Sequence, residues 1–83
     1  MRLPKIKKDD LTVVRLTEVW LAAYDAITKA IEVVERARPK PGDYEPDSFQ
    51  EADANHYQRL GTLEKIQREY SVLMLHVRKD EFR

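Results

Sequence analysis

Apolar residues recur at Val13, Leu16, Trp20, Ala23, Ile27, Ala30, Val34 and Ala37, in alternating steps of three and four. That is the heptad form of helical periodicity, and it predicts one long helix over residues 10–38, roughly 40 Å from end to end. Asp9 or Asp10 suits its start, because a carboxylate accepts from the unpaired N–H groups of a first turn. Pro39 ends it, since the residue before a proline is pushed out of the α region. Asp25 with Lys29, and Glu32 with Arg36, stand as acid-then-base pairs at i,i+4 on the polar side.

The apolar face is wider than one seam. Val14, Leu21, Tyr24 and Ile31 flank it on one side, and Val19, Ala26 and Val33 on the other. A helix apolar over so much of its circumference calls for more than one partner helix.

A second helix is predicted over residues 47–81. Its apolar face is thin at Phe49, Ala52 and His56, and dense at Leu60, Leu63, Ile66, Tyr70, Leu73 and Val77. Val72, Met74 and Leu75 add apolar surface on other sides. Asp47 or Ser48 fits as its cap, with Gln50 and Glu51 respectively placed for a capping box. Between the helices, residues 39–46 hold three of the four prolines and one of the two glycines, which marks a connecting loop.

These elements predict an all-α antiparallel helical hairpin, which pairs into a four-helix bundle. Its hairpin core is Val13, Leu16, Trp20, Ile27, Val34, Leu60, Leu63, Ile66, Tyr70, Leu73 and Val77. Its oligomer interface is Val14, Leu21, Tyr24, Ile31, Val72, Met74 and Leu75. The loop length implies that facing residue numbers add to roughly 85. Gly61 then lies opposite Tyr24 and near Trp20, and makes room for them within a continuous helix. The competing architecture is a three-helix bundle broken at Gly61, with Thr62 capping the third helix.

Composition narrows the classes. Eighty-three residues make a single domain, close to the lower limit for a core that stands alone. Fifteen basic and fifteen acidic residues cancel, so bulk charge favours no polyelectrolyte partner. The absence of cysteine excludes disulfides and thiolate metal sites and permits a reducing, cytoplasmic setting. The longest uninterrupted apolar run is the six residues 19–24, far short of a membrane span and shorter than a signal-peptide core. Residues 1–8 carry Arg2, Lys5, Lys7 and Lys8 and no acid, and so form a basic arm. Leu3 and Ile6 are placed to pin the arm onto the end of the bundle.

Candidate chemistry is sparse. Asp43, Glu45 and Asp47 have the spacing that opens a calcium loop. Ser48 stands where that loop needs glycine, Ala54 where it needs glutamate, and Pro46 interrupts it. Asp53 and His56 share a helical face, but no second acid–histidine cluster completes a metal site. The segment from Gln58 to Gln67 superficially resembles the turn and recognition helix of the repressor-type helix-turn-helix family, with Gly61 as the turn glycine. It departs from the pattern at Tyr57, where a small residue is needed, and at Gln67, where a buried aliphatic is needed. No catalytic, cofactor or metal site is therefore expected.

The expected function is non-enzymatic: a small interaction or regulatory protein that self-associates, as a homodimer, and binds a protein partner through its helical surface. The alternative is a nucleic-acid-associated protein using a basic end built from Lys5, Lys7, Lys8, Arg15, Arg78 and Lys79.

Overall fold

The computed structural model describes residues 1–81, and of residues 79–81 the backbone alone. It is an antiparallel helical hairpin: α1 spans Asp10–Arg36, a 3-10 turn spans Pro41–Asp43, and α2 spans Pro46–Glu81. The Cα atoms fill a slab of 57 × 21 × 14 Å, one helix thick. No helix among the described residues is long and apolar enough to cross a membrane.

Local chemistry sets the boundaries. Asp9 is the cap of α1, with extended backbone, and its carboxylate accepts from the Thr12 N–H at 2.8 Å and from the Thr12 hydroxyl at 2.9 Å. These bonds to the charged form hold the Asp9 carboxyl below its ordinary range, the backbone N–H contributing most. At the far end, the Ala37 N–H returns to the Val34 carbonyl at 2.9 Å, which closes the last turn before Pro39.

α2 starts one residue earlier than its sequence signals suggest. Pro46 occupies the first helical position, where its fixed φ is already helical and its missing N–H costs nothing. The Glu45 carbonyl accepts from Ser48 and Phe49 at 2.9 and 3.1 Å. Asp47 and Ser48 therefore lie inside the first turn instead of capping it. Tyr44 and Phe49 pack with ring centroids 6.4 Å apart across this junction.

α2 runs unbroken through Gly61. The Thr62 hydroxyl bonds back to the Gln58 carbonyl at 3.0 Å, as a threonine inside a helix does, and does not cap a new one. No helix-turn-helix turn exists at this point.

The register differs from the sequence expectation by about ten residues. Gln67 meets Thr28 at 2.9 Å, so facing numbers add to 95 there, not 85. At the loop end, Arg38 Nε lies 3.5 Å from Asp53 Oδ1, and the Arg38 guanidinium sits 5.3 Å from the centroid of the Tyr57 ring. Loop and first α2 turns thus run on beyond the end of α1, and α2 comes level with Arg38 only two turns in. Symmetric folding about the loop would be needed for the smaller sum. Consequently Gly61 comes level with Val34, more than two turns from the level of Tyr24. It is exposed, and a Cβ built on it would meet nothing within 4 Å. The expected packing of Gly61 against Trp20 or Tyr24 is therefore absent, and nothing in the hairpin requires a glycine at this position.

Candidate interaction surface

Two helices can cover only one side of each other, and the burial pattern shows it. Of the apolar side chains described, Leu60 and Val77 alone are buried. Val13, Leu16, Trp20, Ile27, Val34, Leu63, Ile66, Tyr70 and Leu73 face the seam but stay half-buried. Val14, Leu21, Val72 and Leu75 are 54%, 47%, 44% and 56% exposed, while Tyr24, Ile31 and Met74 are half-buried beside them. On the opposite flank of α1, Val19 and Val33 are exposed as well.

Leu21, Met74 and Leu75 come together, because Leu21 is level with Met74 in the observed register. With Thr17, Ser71 and Arg78 they line an open groove of about 260 Å³ between the helices. The Thr17 hydroxyl is satisfied by the Val13 carbonyl at 2.8 Å, so α1 presents a methyl group and a leucine to the groove. Val14 lies one heptad before Leu21 on the same edge of α1. Val72 is turned about 60° from Leu75, away from α1, and lies outside the groove. Sequence reasoning missed Thr17, Ser71 and Arg78 as lining residues. The steps 71, 74, 75, 78 follow helical spacing, but two of these positions are polar and gave no apolar signal.

Charge separates along the rod. The basic arm folds back over the end of α2: His76 Nε2 donates to the Pro4 carbonyl at 3.0 Å, the acceptor being a carbonyl that cannot donate. Ile6 is half-buried there, whereas Leu3 stays 43% exposed, so only one of the two expected anchors is partly covered. Arg2, Lys5, Lys7, Lys8, Arg15 and Arg78 are all exposed and gather at this end. The side chain of Lys79, and Arg83 altogether, lie outside the described residues. Asp43, Glu45, Asp47 and Glu51 are exposed at the loop end, some 50 Å away along the long axis.

The expected acid–base pairs on α1 do not form. Lys29 turns instead to Glu32 at 3.8 Å, at i,i+3, and Asp25 has no ion pair among the described residues. Both expected and observed pairs are exposed and lie close in energy, so side-chain rotamers decide between them.

The histidines separate. His56 is buried at 3% exposure, its ring edge-on to Tyr57 with centroids 5.8 Å apart, while His76 is half-buried. One Asp53 oxygen is buried with no hydrogen bond, since its 3.5 Å approach to Arg38 is Coulombic only. Among the described residues no three His, Asp or Glu side chains converge in a way that could hold a metal ion.

Compared with protein-family models, curated proteins and solved structures, the chain has no significant match.

Proposed function

We propose that this chain is a small non-enzymatic helical interaction protein, which associates with itself and presents the remaining helical surface to a protein partner. The observation that carries the reading is the mismatch between apolar content and burial. Leu21 and Leu75 stand about half exposed on either side of one groove, in a slab that is a single helix thick. Covering apolar area is worth about 25 cal/mol per Å², and soluble monomers seldom leave contiguous patches of this kind open. A second hairpin on this face makes a four-helix bundle, and a two-fold dimer is the commonest closed solution. The absence of cysteine permits a reducing compartment, and a cytoplasmic setting is part of the proposal.

Light scattering after size exclusion at micromolar concentration tests self-association. The expected mass is twice the 9.8 kDa of one chain. A mass of 9.8 kDa across the accessible concentration range overturns it.

The gathered cations of the arm favour a second reading, in which the basic end holds a nucleic-acid backbone. That reading requires retardation of DNA or RNA that weakens steeply with salt.

A further inference from the structure

We propose that the Leu21–Leu75 groove is covered by a second copy of this chain, related by a two-fold axis running along the rod, so that α1 of each copy lies on α2 of the other. The inference rests on the self-association proposed above and adds the face, the orientation and the charged groups that select it.

Both walls of the groove contribute apolar side chains, Leu21 from α1 and Met74 and Leu75 from α2, beside the polar Thr17, Ser71 and Arg78. A surface of this composition is complementary to itself. The 57 × 21 Å face of the hairpin is large enough to supply the roughly 800 Å² per partner that a stable interface buries. Apolar complementarity alone does not choose an orientation, and the charges beside the groove do.

On α1, Glu18 and Asp25 stand one heptad apart, turned about 40–60° outward from Leu21. On α2, Arg68 lies one heptad before Leu75, and Arg78 lines the groove itself. All four are exposed, and none has an ion pair within the described residues. Beside the groove itself, α1 thus carries acid and α2 base, while further toward the loop the exposed Glu32 and Glu64 continue the two lines as like charges at nearly the same level.

Register then decides the match. With facing numbers adding to 95, Glu18 is level with Val77 and Asp25 with Tyr70. Arg78 and Arg68 are one and two residues from those levels, an offset of about 3 Å or less along the axis. A two-fold axis along the rod sets α1 of one copy over α2 of the other at equal height. Asp25 then meets Arg68 of the partner subunit, and Glu18 meets Arg78 of the partner subunit, each twice per dimer. Every helix also runs antiparallel to both of its neighbours, as in an up-down bundle.

A two-fold axis across the rod, through the same groove, places α1 on α1 and α2 on α2. Asp25 then faces the neighbourhood of Glu18 of the partner subunit, and Arg68 that of Arg78 of the partner subunit. Like charges set against each other in this way disfavour that arrangement. The two pairs nearest the groove thus favour the first orientation, with one opposed pair, Glu32 and Glu64 of the partner subunit, set against them further along the rod.

A charge swap tests this. Sedimentation equilibrium is run on the wild type, Asp25→Arg, Arg68→Asp and the double variant, with circular dichroism as the check on folding. Each single variant is expected to weaken dimerisation about tenfold or more, because the reversed charge acts at two symmetric places. The double variant is expected to return to within about threefold of wild type. Wild-type affinity in both single variants, or a double variant as weak as the singles, overturns the proposed orientation and leaves self-association standing. A monomeric wild type overturns both. As a second measurement, nitroxides on Asp43→Cys in the loop fall at the same end of the dimer. Their separation should be well short of the 57 Å rod, and a separation of that length or more overturns the arrangement.

Discussion

Gln67 Nε2 on α2 donates a 2.9 Å hydrogen bond to Thr28 Oγ1 on α1, and the Thr28 hydroxyl in turn donates to the Tyr24 carbonyl at 2.9 Å. This two-step chain ties α2 to α1 through side chains on a largely apolar seam. It pins the register, because a slip of one turn would leave a half-buried amide without its partner. Removing one member strands the other. Gln67→Leu or Thr28→Val alone should cost about 1 kcal/mol, whereas the double replacement should cost less than the sum of the two. Denaturant melts of all four proteins, at one protein concentration, give the coupling. Strict additivity would remove this bond from the account of register.

Gly61 offers a clean stability gain. It is exposed in the middle of α2, and its missing Cβ would meet nothing within 4 Å. Gly61→Ala should stabilise the protein by up to about 1 kcal/mol through helix propensity. For a domain of this size that corresponds to a rise in Tm of about 4–8 °C. An unchanged or lower Tm would indicate that something in solution packs against this glycine.

Asp9 makes the start of α1 sensitive to acid. Its folded-state pKa is depressed, chiefly by the Thr12 N–H and then by the Thr12 hydroxyl. A depressed carboxyl stabilises the fold above its unfolded value, about 3.9, and loses that contribution as pH falls through the lower folded value. Asp9→Ser keeps a cap that does not titrate. Wild type and variant should therefore differ in Tm by one amount at pH 7 and by another, more favourable to the variant, near pH 2. A difference constant across that range would show that the Asp9 cap contributes nothing through its charge.

The N-terminal arm is attached through the His76–Pro4 bond and a half-buried Ile6. Deleting residues 1–8 should lower Tm by only a few degrees, about what the loss of one part-exposed hydrogen bond and one partly covered side chain implies. Loss of the folded state on deletion would assign the arm to the core. Lost affinity for a polyanion, with Tm held, would support the nucleic-acid reading of the basic end.

Replacing His56 should be expensive despite its polarity. It is one of three buried side chains described, so His56→Ala opens a void at the loop end of the seam. A loss of about 2 kcal/mol is expected, in the range of large-to-small core changes, with His56→Leu losing less. Equal losses for the two variants would point to a polar role for the imidazole instead of a packing one.

Much of this architecture is legible in residue order alone. The three-four spacing from Val13 to Val34 commits α1 to one face, Asp9 and Pro39 bracket it, and the prolines of residues 39–46 interrupt the chain where it turns. These are short-range effects of backbone geometry and capping, so neighbouring residues suffice to specify them. The surplus of apolar residues beside the seam, at Val14, Leu21 and Leu75, is likewise a property of spacing. The register, in contrast, is decided between helices. Arg38 reaching Asp53 and Tyr57, and Thr28 reaching Gln67, shift α2 by about ten residues from symmetric folding about the loop. That shift takes Gly61 away from Tyr24, sets Leu21 beside Met74, and draws Thr17, Ser71 and Arg78 into the groove. Periodicity could not foresee it, because each stripe is apolar over several turns and admits more than one alignment. A few polar partners, each needing one specific counterpart, choose among alignments that apolar burial leaves nearly equal.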